Sequence, residues 1–282
     1  VALLHGLGAV THLCFGSESG DIEALSRIAA FLLEEPECYR ASLRQGLRQG
    51  LSYPAARAKA LAMHAPLAHG GADALSSPNN ILGIDYIKAL MGRKSGMVPM
   101  TIRRAGAGYH DRSLDSPGPA VSALAIREAL REGRTPRQLL PYLPEEAGRL
   151  LASCHAQGRL VRTDDFSAVL YYKLLTQREQ GYESYLDVSG DLSDRIRGRL
   201  DSFTGFGAFC DMLKTKDMTY ARISRCLIHI LLGLEKKHIE LGRSLDYVPY
   251  ARVLGFRRSA APLLRAIKEL SSIPLVTRPA QA

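Results

Sequence analysis

Ala9-Val10-Thr11-His12-Leu13-Cys14-Phe15 is a short, mostly apolar run that leads into Gly16-Ser17-Glu18-Ser19-Gly20-Asp21. Behind it, Ile22, Leu25, Ile28, Ala29 and Leu32 recur at the spacing of one helix face, and Asp21 is placed to cap that helix. The stretch reads strand, turn, helix. In an open sheet such a junction has chemical meaning, because backbone N–H groups and the helix dipole favour a phosphate where a strand ends and a helix starts. Gly16 stands at that point, and a residue without a side chain lets a nucleotide approach the backbone; a plain turn glycine is the simpler alternative.

Working outward, helical periodicity covers Tyr39 to Leu51 and, after Pro54, Ala55 to Ala65, while His69 to Pro78 has loop composition. Asn79-Asn80 opens another helix, with Ile81, Ile84, Ile87 and Leu90 on one stripe and an end near Gly92. A second strand is predicted over Met97 to Arg103, leading into Ala105-Gly106-Ala107-Gly108-Tyr109-His110-Asp111, and Val121 to Arg131 is again helical. Strands alternating with helices imply an α/β domain with a mostly parallel sheet over residues 1–135. Beyond Pro136 the pattern is mainly helical, with segments at Glu145 to Cys154, Phe166 to Leu175, Leu192 to Leu200 and Tyr220 to Leu234. A small strand pair, Tyr250 to Phe256 with Pro274 to Thr277, is predicted to flank a helix over Ala261 to Leu270.

The 282 residues suffice for two domains, and 46% apolar with 23% charged residues is the balance of a globular protein. No run approaches a membrane span; the best, Cys226 to Leu234, contains His229 and suits a buried helix. The first residue is Val1 and no secretory leader opens the sequence, so it reads as beginning partway into a protein. Five scattered cysteines, Cys14, Cys38, Cys154, Cys210 and Cys226, have neither metal nor disulfide spacing and read as small buried residues in a reducing cytoplasm. Charge is uneven: residues 1–135 carry 15 basic against 12 acidic groups, 136–194 carry 6 against 9, and 195–282 carry 16 against 7. With Tyr220, Tyr247, Tyr250 and Phe256 among its basic residues, the last third has the character of a polyanion-binding surface.

Several polar residues fall at predicted strand ends. Asn79 is either a helix cap or a hydrogen-bonding partner for a ribose or base edge. Arg103 and Arg104 end the second strand, where a guanidinium fork holds phosphate oxygens or forms a surface salt bridge. His110-Asp111 is a proton-transfer pair or a turn hydrogen bond, and Arg127 is a phosphate clamp or a solvated charge. No G-x-x-x-x-G-K-[ST], G-x-S-x-G, H-E-x-x-H or post-strand G-x-G-x-x-G motif occurs.

Six pieces in order carry a resemblance: Phe15-Gly16-Ser17-Glu18, Ser52-Tyr53-Pro54, Pro78-Asn79-Asn80-Ile81-Leu82-Gly83, Gly106-Ala107-Gly108-Tyr109-His110-Asp111, Ala125-Ile126-Arg127-Glu128 and Val253-Leu254-Gly255-Phe256. Together they resemble the tRNA(Met) cytidine acetate ligase family, from Gly6 to Thr277. The resemblance implies an incomplete Rossmann-like nucleotidyltransferase domain over 1–135, followed by a mainly helical, basic, tRNA-binding domain over 136–282. It implies ATP with Mg²⁺, acetate activated as acetyl-adenylate, and acetylation of N4 of the wobble cytidine in elongator tRNA(Met), in the cytoplasm and without a membrane. Gly16, Asn79 and Arg104 match ATP-contacting positions, Arg104 being preferred to Arg103, and Arg127 is a further ATP-binding candidate.

Two departures stand out. The family's His-x-Gly-His segment is absent; His5-Gly6-Leu7-Gly8 comes nearest and lacks the second His. No catalytic residue is therefore assigned, and residues 1–282 by themselves are expected to be inactive. The superfamily's Ile-Ser-Ser-Thr-x-x-Arg motif is reduced to Ser122 and Arg127 in Val121-Ser122-Ala123-Leu124-Ala125-Ile126-Arg127. The family's basic stretch has its counterpart in Lys214-Thr215-Lys216 through Arg222 and Arg225, so Lys214, Lys216, Arg222, Arg225, Arg252 and Arg257 are expected to face tRNA phosphates. A small-molecule adenylyltransferase and a non-catalytic RNA-binding protein are the alternatives.

Overall fold

The computed structural model describes residues 1–51, 53–64, 77–104, 113–114 and 121–277. They form two compact units, residues 1–158 with 250–282, and residues 159–249.

The first unit begins with α1 (Ala2–Gly6), β1 (His12–Ser17), α2 (Ile22–Glu34), α3 (Glu37–Arg48), α4 (Tyr53–His64), α5 (Pro78–Gly92) and β2 (Val98–Arg103). The two strands pair in parallel, from His12 against Val98 to Ser17 against Arg103, with α2 to α5 in the crossover. Alternation decides which face is covered. Phe15 points toward the helices and joins Leu25, Ile28, Leu32, Ile84 and Ile87 in the core, whereas Val98, Met100 and Ile102 stay about half exposed or more on the other face. Asp21 caps α2 as its type and position require, accepting from the Ala24 amide at 2.9 Å. The strand runs two residues past Phe15, so Gly16 and Ser17 lie within the ladder and the left-handed turn falls on Gly20, at φ +68°.

The chain continues through α6 (Ala123–Arg131), α7 (Pro136–Leu139) and α8 (Glu145–Ala156), where Ala125, Ala129 and Leu139 bury together with Leu114. The second unit contains α9 (Ser167–Thr176), α10 (Gly190–Arg199), α11 (Phe206–Leu213), α12 (Tyr220–Leu232) and α13 (Lys236–Ser244). Its core is built from Leu170, Leu174, Tyr182, Ile196, Phe206, Phe209, Ile223 and Ile230, among others. The buried Tyr182 hydroxyl donates to the Leu174 carbonyl at 2.6 Å, and burial pushes the phenol up to about 12. The chain then returns to the first unit as β3 (Ala251–Arg252), α14 (Ala261–Leu270) and β4 (Leu275–Val276); the predicted strand pair flanking this helix forms, shorter than expected, and is parallel.

Two expectations need correction. The boundary is not at 135/136: the change of composition at Pro136 only begins α7, which packs back through Leu139, and the units divide after residue 158 and again before 250. The cysteines are not uniformly buried either. Cys210 and Cys226 are, with burial pushing the Cys210 thiol up to about 12, but Cys14 and Cys38 are exposed. No helix among the described residues is long and apolar enough to cross a membrane.

Candidate functional site

Parallel pairing brings the carboxyl ends of β1 and β2 to the same side, where the start of α5 also lies. There a cleft of about 380 Å³ is lined by Val1 and Leu4 at α1, Leu13 to Gly16 on β1, and Asn79, Leu82 and Tyr86 on α5. Its walls are mostly apolar; Phe15 and Tyr86 meet edge to face, with ring centroids 5.8 Å apart. A cavity of this kind with a few convergent polar groups suits a small organic ligand with one polar end.

Gly16 is exposed, and the Arg104 side chain lies directly against it: a Cβ built on Gly16 would come 3.3 Å from Arg104 Cγ. The Arg104 amide extends the parallel ladder by donating to the Ser17 carbonyl at 2.8 Å. Arg103 turns elsewhere, its Cβ 2.7 Å from where a Cβ on Gly20 would stand. Of the two arginines, Arg104 is thus the one beside a cleft-lining residue.

The Asn79-Asn80 pair does not cap its own helix. Instead Glu18 reaches across from the loop after β1: Asn79 Nδ2 donates to Glu18 Oε1 at 2.6 Å and the Asn80 amide to Oε2 at 3.0 Å, while buried Asn80 accepts from the Ser19 amide at 3.1 Å. Burial works against the ionised Glu18, but the Asn79 side chain and the surrounding amides outweigh it and hold the carboxyl below its usual value of 4.5. Below this, buried Ser17 accepts from the Gly20 amide at 3.0 Å and donates to Thr101 Oγ1 at 2.6 Å, whose own proton goes to the Phe15 carbonyl. Every turn of the loop after β1 is therefore tied to α5 or β2. The tether through Glu18 escaped the sequence reading, since nothing local indicates that a carboxylate will pair with asparagines sixty residues away.

Gly16 and Asn79 line the cleft and Arg104 packs against Gly16 without lining it; Arg127 does not line it either. It is exposed on α6, which Ser122 caps by accepting from the Ala125 amide at 3.0 Å. His110, Asp111 and the rest of the Gly106–Asp111 motif lie outside the described residues, as does Ser52. His5-Gly6-Leu7-Gly8 is taken up in packing: the Gly6 carbonyl accepts from the Ser272 amide at 2.8 Å, and Gly8, at φ +69°, lies under the Leu270 carbonyl. No group of three or more His, Cys, Asp or Glu side chains among the described residues could hold a metal, and Glu18, the carboxylate touching a cleft residue, is committed to α5. The described side chains thus offer Mg²⁺ no ligand set of their own.

The basic candidates divide between the units. Lys214, Lys216, Arg222 and Arg225 are exposed on the second, but Lys214 pairs with Asp211 at 2.8 Å and Arg225 with Asp187 at 3.0 Å. Arg252 and Arg257 belong to the first. Residues 159–249 as a whole carry 14 basic against 13 acidic groups and 250–282 carry 6 against 1; of the excess of nine over 195–282, four lie in 195–249 and five in the returning segment.

A family model described as HIGH Nucleotidyl Transferase matches residues 1–282. The tRNA(Met) cytidine acetate ligase of Clostridium novyi is 35% identical over 275 residues, covering 98% of this chain and 68% of the relative; that of Acetivibrio thermocellus is 34% identical over 282 residues, covering 99% and 68%. The apo crystal structure of Thermotoga maritima TmcAL superposes with a TM-score of 0.86 at 29% identity, covering 98% of this chain and 66% of that one. The same protein bound with alpha-thio ATP gives 0.83 at 28%, covering 99% and 65%. The chain spans about two thirds of the length of these relatives, and it belongs to the tRNA(Met) cytidine acetate ligase family of HIGH nucleotidyl transferases.

Proposed function

We propose that the cleft binds ATP and that the protein uses it to activate acetate as acetyl-adenylate, then acetylates N4 of the wobble cytidine of elongator tRNA(Met). The observation that carries this reading is the placing of Gly16 and Asn79 in one apolar cleft beside the carboxyl ends of two parallel strands, with the Arg104 side chain packed against Gly16. The likeness to a structure holding an ATP analogue supports it. In this reading the base lies between the apolar walls near Phe15 and Tyr86, the bare backbone at Gly16 permits close approach, Asn79 fixes a sugar or base edge, and Arg104 faces phosphate oxygens. Arg127 is retained as a more distant phosphate contact. Lys214, Lys216, Arg222, Arg225, Arg252 and Arg257 are assigned to tRNA phosphates.

The chemistry needs no nucleophilic side chain. The acetate carboxylate attacks the α-phosphorus, pyrophosphate leaves, and the cytidine amine then displaces AMP from the mixed anhydride. Cationic stabilisation of the charge developing on phosphate is the main requirement, and a His-x-Gly-His segment would supply much of it. Residues 1–282 lack that segment, so they are expected to bind ATP and not to catalyse by themselves. Exposed free thiols at Cys14 and Cys38 suit a reducing cytoplasm.

The decisive experiment is ATP–pyrophosphate exchange by a version supplied with the His-x-Gly-His segment. Exchange that depends on acetate supports the assignment; exchange driven by a mononucleotide and indifferent to acetate makes the protein a small-molecule adenylyltransferase. In residues 1–282, Arg104→Ala is expected to weaken ATP binding about tenfold, the value of one charge-assisted contact. Unchanged calorimetric affinity would remove Arg104 from the site.

A further inference from the structure

Val253-Leu254-Gly255-Phe256 is a motif of the sequence that the cleft does not use. It forms the loop after β3. Its start is fixed on the β4 segment, the Ala251 amide donating to the Pro274 carbonyl at 2.8 Å and the Val253 amide to the Val276 carbonyl at 2.9 Å, and it runs into a helical turn closed by the Ala260 amide on the Arg257 carbonyl at 2.8 Å. Between these points the apolar side chains face outward. Leu254 is 88% exposed and Phe256 56%. Arg252, Arg257 and Arg258 flank them, all exposed and without an ion pair among the described residues, and the sole acidic residue of 250–282 is Glu269.

A loop tied at its start to a neighbouring strand that presents a ring and a branched aliphatic side chain to solvent, edged by unneutralised guanidinium groups, has the composition of a single-stranded nucleic-acid contact. Duplex phosphates would use the arginines and leave Leu254 and Phe256 wet; unpaired bases offer π-faces that cover them. The loop also belongs to the unit that contains the cleft. Its segment is fastened to α1 through the Ser272 amide and the Gly6 carbonyl, and α1 contributes Leu4 to the cleft wall.

We propose that residues 250–258 bind unpaired RNA bases, with Phe256 as the stacking ring, Leu254 as an apolar wedge beside it, and Arg252, Arg257 and Arg258 on the adjoining phosphates. The proposal rests on the tRNA reading above and deepens it: the loop-reading contact belongs to the nucleotide-binding unit, whereas the helical unit has almost balanced charge.

The test is fluorescence anisotropy with two RNAs of equal length, a stem-loop with an unpaired loop and a fully paired duplex, each titrated between about 50 and 200 mM salt. The protein is expected to prefer the stem-loop. Phe256→Ala is expected to lose about tenfold in stem-loop affinity, the worth of one stacked base, with the salt slope unchanged, and Phe256→Tyr to restore most of it. Arg257→Ala with Arg258→Ala is expected to weaken both RNAs and flatten the slope by roughly 0.7 to 0.9 per phosphate lost. Because these side chains are exposed, the variants should melt with the parent. Parental affinity and preference in Phe256→Ala would overturn the proposal and leave the tRNA reading standing; no RNA binding by the parent would remove both. Phe256→Ala weakening binding to phosphatidylserine vesicles, with RNA binding unaffected, would give the loop to a lipid surface instead.

Discussion

Gly83 stands where the ring of Phe15 comes to rest: a Cβ there would fall 2.4 Å from Phe15 Cε2. This contact and the Glu18–Asn79 tether explain why two sequence pieces sixty residues apart occur together, since one supplies the ring and the carboxylate and the other the space and the amides. Gly83→Ala is expected to force Phe15 aside, costing about 1–3 kcal/mol of stability and, because Phe15 lines the cleft, weakening ATP binding as well. A melting temperature and affinity equal to the parent's would show that the ring has room to move. Glu18 gives a pH signature. Its carboxyl is held below 4.5, so the stability it contributes is complete above that value and is lost as pH falls through the lower native value. Glu18→Gln should therefore be less stable than the parent near neutrality by about 1–2 kcal/mol, and the gap should close in denaturant titrations carried below pH 4. A gap independent of pH would mean that shape, not charge, matters at this position. At this scale the strand ends and helix start that carry Gly16, Asn79 and Arg104 are legible in the sequence, because they are locally encoded. The pairing of Glu18 is not, because its partners are set by the crossover.

Elements show the same division between local and distant causes. The amphipathic stripes of α2 and α5 and the run of α12 announce themselves, because each helix buries one face and the 3.6-residue period records it. By contrast α1 has five residues, too few for a period to emerge, and α13 is a nine-residue helix with no buried residue. The extension of β1 through Ser17 was equally hidden: Ser17 is buried only because Thr101 and the Gly20 amide satisfy its hydroxyl, a pairing that composition does not reveal. The cap of α2 is the converse case, written in one residue. Asp21→Ala removes the acceptor of the Ala24 amide and is expected to cost about 1 kcal/mol, seen as a lower denaturation midpoint with unchanged slope. Asp21→Asn should recover most of the loss, since an amide oxygen caps nearly as well; failure to recover would assign the effect to charge at the helix dipole.

For the whole molecule, the consequential feature is that the chain leaves its first unit after residue 158 and returns at 250. A change of composition suggests a single boundary, but folding follows burial: Leu139 completes the core around Ala125 and Ala129, and Leu270 to Ile273 close over the end of α1. Ile273 packs on Gly6 so tightly that a Cβ there would meet it at 3.0 Å. The second unit has a core of its own and is expected to fold independently, so residues 159–249 expressed alone should be helical and unfold cooperatively. Truncation after 249 should act on the other unit. Exposing the surface that Leu270 and Ile273 cover is expected to cost the first unit about 2 kcal/mol or more and to weaken ATP binding through α1, while the transition of 159–249 stays where it was. Calorimetry of the truncated chain separates the outcomes, because loss confined to the ATP-stabilised transition follows from the observed division, whereas equal loss in both transitions would mean that the two cores fold as one.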